Sequence, residues 1–228
     1  MRYLVIIILT FISFHSSHAQ INELGIFVGG SNFIGDVGAT NYISPNQLAV
    51  GGLYKWNRSP RHSYRISVIF TDLKGEDIKS NDPRRQQRNY SFTNQMIEIS
   101  AGMEFTFLDF NLHSGKKVST PYLYSGITVS NMEDSFFQNG IQTAQNSSSW
   151  AFGIPMVLGF KTNILGNIIL GFEVGARYTF SDNIDGSYPE DSLLQPNRFG
   201  NQNNNDWYTF TGLTLTYTFG KNPCYCIN

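Results

Sequence analysis

Eight stretches of this chain alternate apolar and polar residues, and the connections between them alternate short and long. In Trp207–Phe219 one face carries Trp207, Leu213, Leu215, Tyr217 and Phe219, and the other carries Gly212, Thr214, Thr216 and Thr218. The second face is too small and too rich in glycine for a water-exposed surface, because glycine weakens a strand interior unless something packs closely on it. Bulky apolar residues outside and small polar residues inside make up the two-residue period of a membrane β-barrel.

The alternation predicts strands at 22–34, 47–57, 62–73, 90–109, 120–131, 149–164, 167–181 and 206–220. The links Arg58–Arg61, Phe110–Ser119 and Leu165-Gly166 are short, whereas those after the first, third, fifth and seventh strands are long. Short turns on the periplasmic side, long loops outside and an even strand number that leaves both termini in the periplasm are the rule for such barrels. The expected fold is therefore all-β: a closed, eight-stranded antiparallel transmembrane barrel over residues 20–220, with one domain and a periplasmic tail at 221–228.

The start of the chain fits export. Met1-Arg-Tyr is a short basic segment, Leu4–Phe14 is apolar, and Ser17-His-Ala19 has the small-x-small pattern of a signal-peptide cleavage site. Residues 1–19 are expected to be removed, leaving Gln20 first and no cysteine there to take lipid. The apolar run is well short of the roughly 20 residues that a helical span needs.

Composition excludes some functions. A net charge of −1 offers no basic face to nucleic acid, and only 14% of residues are charged. The lumen-facing charges are Glu23, Glu98, Glu104 and Glu173 against Lys55, Arg65, Lys161 and Arg177, four of each sign. An eight-stranded barrel has room only for its own side chains or one small ligand. Charges confined there must pair or stay uncompensated at several kcal/mol each. A charge-paired plug is thus expected rather than a pore or proton path. Aromatic residues collect at the strand ends: Trp56, Tyr64, Phe160, Tyr217 and Phe219 near the turns, and Phe70, Trp150, Tyr178, Phe180 and Trp207 near the long loops. Two interfacial girdles would look like this.

No enzyme is expected. His15 and His18 lie in the leader, and His62 and His113 fall in short periplasmic turns. No GxSxG, no HExxH and no glycine-rich phosphate loop is present. Cys224 and Cys226 flank Tyr225 near the end, open to three readings: free or strained thiols, a bridge to a partner, or a metal site. Two thiolates fall short of the four ligands of a structural metal site. The segment Asp72–Asn89 mixes four acids with five bases, and no ligand is assigned to it. The last loop holds Asp182, Asp185, Glu190, Asp191 and Asp206 against Arg198, without the regular spacing of a calcium loop. No cofactor, metal or small-molecule substrate is expected.

Four phrases suggest a family. Glu23-Leu-Gly-Ile-Phe-Val-Gly-Gly-Ser-Asn-Phe-Ile-Gly-Asp-Val-Gly38 resembles the opening of PorG-like proteins of the Bacteroidetes type IX secretion system, as does Tyr54–His62 across the first turn. Glu98–Phe107 and Thr120–Gly126 follow the same pattern. The resemblance implies a non-enzymatic outer-membrane barrel in the secretion and gliding machinery. It would anchor or position a periplasmic ring made of a lipoprotein and its ring partner, with lipid of the outer membrane around it. On that reading Arg58, Arg61 and His62 of the first turn, and Cys224, Tyr225 and Cys226 of the tail, are the candidate partner contacts. The alternative is a surface-binding barrel of the OmpA or OmpX type, acting through its long outer loops.

Overall fold

The computed structural model describes residues 21–112, 117–201 and 203–220. The leader, His113 and the Cys224–Cys226 tail, with the expectations attached to them, lie outside the described residues. Eight strands run in chain order: β1 (Ile21–Ile34), β2 (Gln47–Asn57), β3 (His62–Glu76), β4 (Ser91–Thr106), β5 (Ser119–Gln138), β6 (Ile141–Leu165), β7 (Ile168–Thr179) and β8 (Trp207–Phe219). Each pairs antiparallel with the next, and β8 returns to β1. The closing seam runs from Asn22 opposite Phe219 to Ile34 opposite Trp207, so no strand edge is left in the wall.

Side-chain alternation decides which face turns inward. Along β4, Ile97, Ile99, Ala101 and Met103 point out while Glu98, Ser100 and Glu104 are buried. Along β6, Phe152, Leu158 and Phe160 are exposed on the same wall, with Phe152 at 62%. A continuous belt of exposed Ile, Leu, Phe and Met is a surface made for hydrocarbon. In water it would far exceed the apolar patch that a soluble monomer tolerates. The fold is a transmembrane β-barrel.

Glycine on the inner wall makes room for large inward side chains. A Cβ on Gly159 would lie 2.2 Å from the Tyr122 ring. Opposite each other in β1 and β8, Gly29 and Gly212 make room for the ring of Phe27. These contacts explain Gly212 on the inner face of β8, which also carries the buried Tyr208 and Phe210.

The end of the barrel away from the termini departs from the sequence expectation in two places. The connection after the fifth strand is not a long loop. β5 and β6 continue past the belt as a hairpin closed by Asn139-Gly140, both with positive φ (51° and 82°). Such a two-residue turn matches the twist of its strands, and Asn-Gly is its preferred sequence. Two amide side chains tie the hairpin to β4, one at its base and one near its tip. Asn94 donates to the Glu133 carbonyl (2.9 Å) and accepts from the Glu133 amide (3.2 Å). Gln142 does the same with Thr93, at 3.2 and 3.0 Å. The segment after β3 also has structure of its own, a one-and-a-half-turn helix α1 (Pro83–Arg88) capped by the Asp82 carboxylate at the Arg84 amide. Asn89, in the left-handed region at φ 56°, ends it.

Candidate functional site

The lumen is filled by ion pairs that cross from one wall to the other. Glu104 on β4 takes Lys55 from β2 at 2.7 Å and Lys161 from β6 at 2.6 Å. Glu173 on β7 receives Arg65 of β3 in a two-pronged contact at 2.7 and 2.9 Å, and Tyr122 donates to it at 2.7 Å. Glu98 on β4 meets Arg177 of β7 at 3.2 Å and accepts from Tyr208 at 2.6 Å. Aromatic faces cover the cations: Tyr124 under Arg65 at 4.9 Å, Phe210 under Arg177 at 4.3 Å and Phe110 under Lys161 at 4.6 Å. Desolvated cations gain most from such faces.

All eight charges chosen from the sequence face this interior, but they do not match one to one. Glu104 has two lysines, whereas Glu23 makes no ion pair among the described residues. It is fully buried and accepts from Asn57 (2.9 Å) and Thr216 (2.9 Å). Lys55 stands opposite Glu23 in the β1–β2 register, yet its amine reaches across to Glu104. Length and direction of a side chain, not its register, select the partner.

Above the ion pairs lies a second, apolar tier that the charge count did not reveal. Phe33, Leu73, Phe92, Met96, Met132 and Ile184 are buried together there, with Phe33 edge-on to Phe92 at 4.9 Å. Over it, Tyr90 stacks on Phe137 at 4.5 Å and Arg88 sits 4.7 Å above Phe199. The connections at this end interlock through two buried carboxylates. Asp77 accepts from the Gly38 amide (2.8 Å), from Arg88 (2.8 Å) and from the Tyr90 amide (3.0 Å). Asp185 accepts from the amides of Asp36 (3.0 Å), Val37 (2.9 Å) and Ser187 (2.9 Å). The connection after β1 is thereby locked to those after β3 and β7.

Four acids meet at this junction: Asp36, Asp182, Asp185 and Asp206. Among the described residues none of them forms an ion pair. Burial, reinforced by the neighbouring Asp36 and Asp185, pushes the Asp182 carboxyl up to about 7. Asp185 and Asp206 are also held above the ordinary range by burial, and Asp206 strongly so. Among the described residues no group of three or more His, Cys, Asp or Glu is placed to hold a metal ion.

At the opposite rim, Arg58, Arg61 and His62 stand exposed on the tight β2–β3 turn. Arg58 lies 5.6 Å over the Trp56 ring, and Arg61 pairs with Asp109 at 2.5 Å. His62 Nδ1 is 3.2 Å from the Ser59 hydroxyl. The turn thus presents two guanidinium groups and an imidazole to the water beyond the membrane.

A family model described as a domain of unknown function, DUF6089, matches residues 2–228. The chain belongs to the DUF6089 family. No curated protein matches it. Several solved barrels align with this DUF6089 protein along most of its length. Ail, the attachment invasion locus protein of Yersinia pestis, crystallised with the heparin analogue sucrose octasulfate, is 12% identical over 88% of this chain and 99% of its own, with a TM-score of 0.49. Neisserial surface protein A is 11% identical over 89% and 96%, at 0.45. A major outer membrane protein from Thermus thermophilus is 14% identical over 89% and 100%, at 0.45.

Proposed function

We propose that this DUF6089 protein is a non-enzymatic barrel of the outer membrane that serves the type IX secretion machinery. It holds the periplasmic ring, built from a lipoprotein and its ring partner, beneath the membrane, with its turns and both termini on the periplasmic side. The observation that carries this reading is the sealed lumen. Among the described residues three cross-barrel ion-pair groups and a buried apolar tier fill the lumen, and this favours work at the rims. The exposed Arg58 supplies charge-assisted hydrogen bonds for acidic groups of a partner, joined by Arg61 where a partner carboxylate replaces Asp109 and flanked by the His62 ring. The resemblance of Glu23–Gly38 and Tyr54–His62 to the PorG-like pattern supports the choice of partner.

The test replaces Arg58 and Arg61 with Glu, and separately removes residues 221–228. Both variants are expected to keep the heat-dependent gel shift of a folded barrel, to lose most co-purification of the ring lipoprotein and to impair secretion. The second reading, a surface-binding barrel, is favoured by the built outer end, where the β5–β6 hairpin and α1 form an ordered cap instead of free loops. Should trimming the hairpin between Glu133 and Ser148 abolish function while both periplasmic variants behave as wild type, that reading replaces the first.

A further inference from the structure

The connection after β1 does not stay above the barrel. Residues 41–45 turn back down the outer wall over the β1–β8 seam. Asn32 donates to the Asn41 carbonyl (2.9 Å) and accepts from the Ser44 amide (3.3 Å), while Thr209 donates to the Tyr42 carbonyl (3.0 Å). Asn32 and Thr209 face each other in the register, on the outward side of the wall. Both are nevertheless buried, at 3% each, because this flap covers them. Pro45 lies against Gly30, where a Cβ would come within 2.6 Å of the proline ring. The seat therefore requires glycine.

The flap projects two apolar side chains, Tyr42 and Ile43, that remain 75% and 61% exposed. Between them and the wall of β5–β7 runs a groove of about 490 Å³. Its floor is low because Thr209, Ala176 and Ser125 are small outward residues in one row across the strands, interrupted by Met156. Leu123, Leu158 and Val174 form its lower side. No charged side chain lines it. Its neighbours along the strands, Ile127 and Ile154, belong to the exposed apolar belt. Inside that belt there is no water to fill a concavity. An empty groove would forfeit the dispersion contacts of its lining. The volume lies in the range of small-ligand sites, about 300–1,000 Å³.

The geometry points to a binding site for one fatty-acyl chain of an outer-leaflet lipid, clamped between the Tyr42–Ile43 flap and the outer wall of β5–β7. The site selects hydrocarbon and not a headgroup, since its lining offers no ion to pair. The flap descends from the loop-bearing end, which fixes the leaflet. The inference rests on membrane insertion of the barrel and, for the leaflet, on the orientation proposed above, and is independent of the secretion role.

The test uses the full-length protein in vesicles of phosphatidylethanolamine and phosphatidylglycerol that carry a phosphatidylethanolamine with a diazirine on its acyl chain. After illumination, adducts are mapped by peptide mass spectrometry. They are expected to concentrate on Tyr42–Ile43 and on Met156–Leu158, above the level at Ile66 and Ile97 on the far wall. Ala176→Trp, which fills the floor, and Gly30→Leu, which unseats Pro45, are each expected to reduce that excess about tenfold. Both substitutions point outward, and the heat-dependent gel shift reports that the barrel is intact. Labelling spread evenly around the belt, or an excess that persists in either variant, overturns the site while leaving the barrel in the membrane. Absence of labelling anywhere overturns insertion itself.

Discussion

Arg177 holds two groups at once, Glu98 through Nε and Nη2 and the Gly175 carbonyl through Nη1 at 2.7 Å. Arg177→Leu would leave the buried Glu98 carboxylate with the Tyr208 hydroxyl alone among the described residues. Breaking a buried pair from one side costs about 3–5 kcal/mol, because the surviving charge stays desolvated. The temperature at which the folded band converts to the unfolded one is expected to fall markedly. Adding Glu98→Gln to the same chain should recover part of the loss, since a neutral amide tolerates burial better than a lone carboxylate. Equal conversion temperatures for the single variant and wild type would mean that this pair does not hold the lumen. The inward position of all eight charged residues was legible in the sequence, since alternation settles faces. Their partners were not. The Glu104–Lys55–Lys161 group joins three different strands, and only closure of the ring brings them within reach.

Strands and connections differed in how plainly they could be read. A half-exposed strand in hydrocarbon repeats its signal every two residues, so all eight strands were legible and only their ends moved. The connections at the end away from the termini carry no such period. The Asn139-Gly140 turn had a local sign in its dipeptide, and α1 had one in Asp82-Pro83, both hidden among polar neighbours. Nothing local marks the acid junction, because Asp36 and Asp206 stand at opposite ends of the chain and meet Asp182 and Asp185 only in the fold. The junction makes the cap sensitive to pH. The Asp182, Asp185 and Asp206 carboxyls keep their protons to a higher pH when folded than when unfolded. The unfolded state therefore binds fewer protons across that interval, and stability falls as pH rises. For Asp182 the loss begins near the ordinary value of 3.8 and is complete above about 7. The groups facing it are Asp36, Asp185 and Asp206, while Arg88 nearby is committed to Asp77 and to the Asp36 carbonyl. Amide exchange in residues 35–46 and 181–206, corrected for intrinsic rates, should thus show several-fold lower protection at pH 8 than at pH 5. Asp182→Asn should narrow that difference. Protection that rises with pH would refute the assignment.

The whole molecule places two seals in series along one axis. The lower seal is ionic, and its cations lie on aromatic faces. The upper one is apolar, built from Phe33, Phe92 and Ile184 beneath the interlocked connections. An ion entering from either side would have to displace a paired charge in the first case and shed its hydration among hydrocarbon side chains in the second. Each step costs several kcal/mol. The protein reconstituted in a planar bilayer is accordingly expected to give no steady conductance. Trimming the β5–β6 hairpin between Glu133 and Ser148 removes part of the upper seal only, so that variant should remain silent as well. Combining it with Arg65→Ala and Glu173→Ala, which empties the middle of the lower seal, is the change expected to admit ions. A large, steady conductance from the wild-type barrel would contradict the plug, and with it the premise that this protein acts from its rims.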